Sequence, residues 1–302
     1  MKKLFFSSLG TLLMVVAFLL VFTACNNDEE TAREFNAEDA EVLLDNTVAE
    51  SAFEESFTLS MSATEFRLGG RPEGEPTDKD GEMNEEEIFG TCATITVEDL
   101  EPTGKKLTID FGDPGCTGFD GKTRKGKIII TATARYFVPG SVVSTTFDNY
   151  FVNGVKVEGT KTVTNITELG GDPTHTYVVD GGKLTFPNNT TIEWETNRTR
   201  VWETGHETFI QRVNPFDDVF EVSGTYSGKN RNNVSYTMET TQDLVFKTEC
   251  WLQGTGAPVE GKVEVNPSNF FTYEVDYSPA NDGACDNTYS VTIGNQTIII
   301  NG

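Results

Sequence analysis

The chain offers few groups that could do chemistry. It has two histidines, His175 and His206, in 302 residues. A serine or zinc hydrolase would need one of them beside a nucleophile or a metal. Neither a GxSxG elbow nor an HExxH helix accompanies them, so each reads as a strand or loop residue. Carboxylates are abundant, with 47 Asp and Glu against 23 Lys and Arg. Glycoside hydrolysis needs two of them at a set separation. Glu193 with Glu195, and Asp217 with Asp218, are the pairs on offer. Alternation with Ile192 and Trp194 explains the first pair as the wet side of a strand, and a turn explains the second. Asp110, Asp113 and Asp120 around Cys116, and Asp276, Asp282 and Asp286 around Cys285, could gather oxygen ligands for calcium. They lack the fixed spacing of an EF-hand, and Asp at turns accounts for them. Trp202 and Trp251 are the candidates for ligand contact, as a stacking platform for a sugar. Trp194 alternates into the dry side of its strand. These residues favour a protein that is not an enzyme and takes no cofactor.

Five cysteines remain to be placed. Lys2 and Lys3 head an uncharged, apolar segment from Leu4 to Ala24, and Cys25 follows directly. A positive head, an apolar body and a small-residue exit are the parts of a secretory signal. Phe22-Thr23-Ala24-Cys25 resembles the lipobox of bacterial lipoproteins, with Phe22 where that family usually has Leu. The resemblance implies cleavage before Cys25, acylation of its sulfur, and a stable anchor in the membrane, since more than one acyl chain holds firmly. Asn26-Asn27-Asp28-Glu29-Glu30 then resembles the acidic surface-export signals of Bacteroidota lipoproteins. A cell outer membrane location, exposed at the surface, is the expectation.

Cys92, Cys116, Cys250 and Cys285 are left, and an even remainder in an exported chain reads as disulfides. They allow three connectivities. Cys92–Cys116 and Cys250–Cys285 are favoured because each pair brackets a similar piece of sequence. A loop-entropy argument gives these about 3.5 and about 4 kcal/mol. The spacing is too wide for a CxxC-type zinc site. Formal charge is −24, and it becomes more negative once Lys2 and Lys3 are removed. That balance excludes nucleic acid as a partner, along with anionic lipid surfaces beyond the anchor. It suits cations or neutral ligands, including a glycan or an envelope protein.

The elements that would position these residues follow from periodicity. Residues 25–34 read as an acidic tether. Residues 35–62 hold a helix, about Ala37 to Leu59, capped by Asn36 with Glu38, Asp39 and Glu41 in its first turn. Val42, Ala49, Phe53 and Phe57 recur on one face of it. Residues 63–87 read as a flexible loop, because Glu73 to Glu87 carries eight acids and one Lys and cannot bury enough apolar surface to order itself. From 88 to 302 the period is two. Ile128, Ile130, Ala132, Ala134 and Tyr136 share a side, and Asn153-Gly154 joins two alternating strands as a hairpin. Further strands are expected at Thr176–Asp180, Lys183–Phe186, Thr191–Trp202, Glu207–Val213, Phe220–Tyr226, Val234–Thr240 and Asp243–Cys250. Lys262–Asn266, Phe270–Tyr277, Tyr289–Ile293 and Thr297–Ile300 complete the set. Asp180-Gly181-Gly182 and Asn188-Asn189 are read as turns between them.

The fold class is therefore mainly β, an antiparallel meander forming a sandwich or broad curved sheet behind one short N-terminal helix. Leu107–Phe111 with Cys116 and Ile128–Ile130 resembles Tyr273–Tyr277 with Cys285 and Ile298–Ile300, which suggests related halves near 88–187 and 188–302. As a whole the mature chain resembles uncharacterised all-β lipoproteins of Bacteroidota, a family that supplies no activity to carry over. The expected function is a lipid-anchored, non-catalytic envelope protein with a binding or structural role. The alternatives are a surface polysaccharide hydrolase and a periplasm-facing carrier with an apolar concave face.

Overall fold

The computed structural model describes residues 35, 37–68, 93–118, 120–207, 217–253 and 257–301. Cys25 and its neighbours, the acidic loop, Cys92 and nearly all of the strand expected at Glu207–Val213 lie outside the described residues. Helix α1 runs Ala37–Leu68, 32 residues, longer than the expected 37–59. Its last turns are rich in Ser and Thr, a poor helical signature. Burial explains the extension. The Ser56, Ser60 and Thr64 hydroxyls donate to the carbonyls four residues back at 2.7–2.8 Å. Their polar atoms are satisfied inside the helix, so these small residues can lie against the sheet. No described helix is long and apolar enough to cross a membrane.

Among the described residues fourteen strands follow and form a single sheet. They are β1 (Thr94–Asp99), β2 (Lys105–Asp110), β3 (Cys116–Thr117), β4 (Thr123–Ala132), β5 (Val142–Val152), β6 (Val155–Asn165) and β7 (Thr174–Thr185), then β8 (Thr191–Thr204), β9 (Val219–Lys229) and β10 (Ser235–Lys247). A short helix α2 (Thr248–Leu252) precedes β11 (Glu260–Pro267), β12 (Tyr273–Asp276), β13 (Tyr289–Ile293) and β14 (Gln296–Ile300). Each strand pairs antiparallel with the next, except that β3 is a short flap on β4 and β2 reaches past it to β4. The order is that of an open sheet with β1 and β14 at its ends, so the broad curved sheet is the form taken and the sandwich is not.

One face of the sheet is dry. Leu107, Ile109, Ile128, Ile130, Val143, Val157, Ile192, Trp194, Val263 and Val275 all point into the core that α1 shares. Val42, Ala49, Phe53 and Phe57 of the helix are buried as the periodicity predicts. The helix is embraced from several sides. Glu54 and Glu55 leave it about 100° apart, yet one reaches β6 and β8 and the other β4. Among the α1 residues whose side chains are described, only a narrow stripe, Leu44, Thr47, Ser51 and Thr58, is exposed.

Long strands can wrap a helix only if they bend, and the bends are visible as register shifts. They lie between Lys125 and Lys127, Thr146 and Phe151, Glu158 and Thr160, Val179 and Gly182, and Glu239 and Leu244. The first four adjoin from β4 to β8 and form a line, while the fifth lies apart between β9 and β10, since β8 and β9 keep register from Glu193 to Trp202. Bulges bend a strand and raise its twist. At two of these bends only glycine fits. A Cβ on Gly126 would stand 2.0 Å from the Asn149 carbonyl oxygen, and one on Gly224 would stand 2.2 Å from that of Asn197, both at positive φ. These bends correct the expected strand list. Asp180-Gly181-Gly182 is not a turn between strands but a bulge within β7, and the break at Thr241-Gln242 is a bend within β10.

The two similar stretches are built differently. Leu107 and Ile109 pair directly with Ile130 and Ile128. In the second stretch β13 intervenes, pairing with β12 on one side and with Ile298–Ile300 on the other. Beyond Ala132 the expected strand also gives way to loop, so Ala134 and Tyr136 lie outside β4.

Candidate functional site

The inner face is a charged lock. Three cations of the sheet are at most 6 % exposed: Arg124 on β4, Lys161 on β6 and Arg198 on β8. Burying a charge is costly unless it is paired, and α1 supplies the pairs. The Lys161 Nζ donates to Glu54 at 2.8 Å, and Arg198 donates to Glu54 at 3.1 Å and to Glu50. Arg124 donates its Nε to Glu55 at 3.1 Å and its Nη1 to Asp120 at 3.0 Å. Near the start of the helix, buried Asp45 accepts the Arg231 backbone amide at 2.7 Å and its Nε at 2.8 Å. Asn46 accepts the Trp194 indole N–H at 2.8 Å. Burial alone would raise the Glu54 carboxyl, but Lys161 and Arg198 outweigh it and hold the group at about 2. Burial pushes the Lys161 ammonium down, with Glu54 opposing.

These residues were not singled out from the sequence, although parity marks them. Lys161 falls on the side of Val157 and Val163, and Arg198 on the side of Ile192 and Trp194. A cation in phase with a dry face needs a partner, and Glu50 and Glu54 lie one turn apart on the one long helix among the described residues. The result is an inner face filled by the chain's own helix. The apolar, uncovered face that a carrier would need is not seen among the described residues.

The outer face is different in kind. A groove of about 520 Å³ crosses β7 to β11, lined by Val178, Asp180, Glu195, Asn197, Thr225, Ser227, Thr237, Glu239 and Asn266 among others, with no Lys, Arg or His. Register explains the lining. Val178, Asn197, Thr225 and Glu239 stand directly opposite one another on successive strands, and Glu195, Ser227, Thr237 and Asn266 form the next row. The first row continues past the groove through Glu264 to Glu274. Three carboxylates are thus set side by side, Glu239–Glu264–Glu274, where like charges directly opposite are unfavourable. Lys262 reaches Glu274 at 3.1 Å and the Asn266 amide donates to Glu264 at 3.1 Å. Elsewhere on this face, burial raises the Glu221 carboxyl, with Glu203, Asp243 and Glu260 adding to the rise.

The residues expected from sequence are placed as follows. Glu193 and Glu195 are exposed on β8, alternating with buried Ile192 and Trp194. Asp110, Asp120, Asp276, Asp282 and Asp286 each accept the amide two residues on, which is turn chemistry. Asp110 and Asp120 also hold Lys127 and Arg124. Trp202 packs against Phe220 and edge-on to His206, with ring centroids 5.4 and 6.1 Å apart. Buried Asp218 comes to the same end of β8 and β9, where burial raises its carboxyl and a hydrogen bond from Trp202 opposes. Trp202 is therefore part of a packed cluster outside the groove. The side chain of Trp251 lies outside the described residues. His175 is buried far from His206 in sequence and stacks on Tyr136 at 4.1 Å.

Cys250 and Cys285 are joined, tying α2 to the loop between β12 and β13. With both sulfurs in that bond, their grouping with Glu249 offers no thiolate to a metal. Cys116 is also disulfide-bonded, and Cys92, its expected partner, lies outside the described residues.

No family model, no curated protein and no solved structure matches this chain.

Proposed function

We propose that this is a lipid-anchored, non-catalytic protein of the cell outer membrane, exposed at the surface, that binds a basic segment of a partner across the outer face of β7 to β11. The placement of Cys25 after an apolar leader supports the anchor. The observation that carries the binding reading is the Glu239–Glu264–Glu274 row beside a groove without cations. Such a row is unfavourable by itself and becomes favourable when positive charge is laid on it. A sugar platform has less support, since Trp194, on a strand that the groove crosses, faces the core and Trp202 packs on Phe220 outside the groove.

Location and ligand are tested separately. Protease shaving of producing cells should remove the domain from outside, and Cys25→Ala should release it from the membrane. A domain protected until the outer membrane is broken rejects surface display. A lysine-rich peptide should bind the protein, more weakly as salt rises, and should lose affinity when Asp180→Asn, Glu195→Gln and Glu239→Gln are combined. Binding that ignores this triple change would place the ligand elsewhere.

A further inference from the structure

The two ends of the open sheet are unequal. Strand β1 is guarded by charge. Glu98 and Asp99 lie on it, held by Lys106 and Lys105 of β2. Charged side chains are a standard means of keeping an edge from pairing with another chain. Strand β14 has no such guard. It reads Gln-Thr-Ile-Ile-Ile, and residues 287–302 contain no charged residue at all, the longest such run after residue 28. Ile298 is 41 % exposed and Ile299 60 %. Successive strand residues face opposite sides, so β14 is open on both faces as well as along its edge. No described strand pairs with that edge.

The hairpin fixes which backbone groups are on offer. Ile293 and Gln296 flank a two-residue loop, Gly294-Asn295, and flanking pairs of that kind exchange both hydrogen bonds. Alternation then turns Gln296, Ile298 and Ile300 toward β13. The N–H and C=O groups of Thr297 and Ile299 point outward.

We propose that β14 joins two copies of this chain, antiparallel and edge to edge, with Ile298 on the two-fold axis. Thr297 of each copy then faces Ile299 of the other, so every outward backbone group of the strand finds a partner. The two Ile298 side chains meet where each now lacks a neighbour. The contact is isologous and closes on itself. Charge selects the occupant. Two copies of a chain carrying −24 repel one another over most of their surface, and this hairpin is the segment where they can approach without opposing carboxylates. A basic partner would be drawn instead to the acidic outer face.

Sedimentation velocity of the full chain in density-matched detergent tests this. The wild type should pass from monomer to dimer between low and high micromolar concentration. Ile299→Pro deletes one outward N–H and no bond to β13, so it should keep the fold and remain monomeric throughout. Ile299→Val should still dimerise. If Ile299→Pro folds poorly, Ile299→Lys on the exposed face serves in its place. In the wild type the Thr297 and Ile299 amides should exchange more slowly as concentration rises. A wild type that stays monomeric, including one that pairs only with a foreign strand, overturns the proposal. So does a dimer that survives both Ile299→Pro and Ile299→Lys.

Discussion

The inner and outer faces of this sheet are made by the same strands, one residue out of phase, yet they handle charge in opposite ways. Inside, Arg124, Lys161 and Arg198 are buried, and each meets a partly buried carboxylate of α1. Outside, Glu239, Glu264 and Glu274 face one another across neighbouring strands. A buried charge without a partner costs too much to persist, whereas water screens an exposed like-charge row down to a small penalty. Charge on the inner face therefore specifies the fold. Charge on the outer face is nearly neutral for folding, which leaves it free for the binding proposed above.

The sharpest way to break this contrast is to strip the inner face. Arg198→Ala leaves Glu50 and Glu54 without one of their cations, and Phe53→Ala removes a ring stacked at 5.4 Å on Trp194. Each should cost about 3–5 kcal/mol in chemical denaturation. A loss below about 1 kcal/mol for either would mean that α1 is not held as the buried pairs imply. Arg198→Met with Glu50→Gln should cost less than Arg198→Ala alone, because an apolar replacement does not strand a charge.

Acid separates the inner face into two windows. Burial pushes the His175 imidazole down to about 4, with the Tyr136 carbonyl opposing and Arg200 adding to the fall. Its folded value lies below the unfolded value of about 6.5, so the unfolded chain binds the extra proton first. Stability is complete above about 6.5 and falls by about 3 kcal/mol as pH drops toward 4. Glu54 acts lower. Its contribution is present above about 4.5 and is lost as pH falls toward 2. His175→Gln should flatten the first window and leave the second. An unchanged slope between pH 6.5 and 4 would show that His175 is not the group being charged.

How much of this was legible beforehand divides along the same line. The dry face was readable, because burial imposes a period of two on the strands and leaves Val42, Ala49, Phe53 and Phe57 on α1. The bends were not. A glycine bulge inside a strand and a glycine turn between strands have the same composition at Asp180-Gly181-Gly182, and only the pairing with β6 and β8 distinguishes them. The length of α1 was missed because Ser56, Ser60 and Thr64 look unhelical until their hydroxyls are seen to be satisfied within it. The groove had no signature at all. Its residues come from β7 to β11, and single-strand patterns carry no register between strands.

The smallest effect sharpens the comparison from the outer side. Glu264 stands directly opposite both Glu239 and Glu274, and it is exposed. Glu264→Gln removes both repulsions while keeping a side chain that can still meet Asn266. The variant should be more stable than the wild type by about 0.2–1 kcal/mol in low salt. The gain should shrink as ionic strength rises, since the repulsion it relieves is screened. An inner-face carboxylate changed to its amide, such as Glu54→Gln, should move the other way, because it removes a partner of the buried Lys161 and Arg198. If Glu264→Gln destabilises the protein, the row is held together by Asn266 and Lys262 as an integral part of the fold. The distinction between a face that builds and a face that binds would then fail at this position.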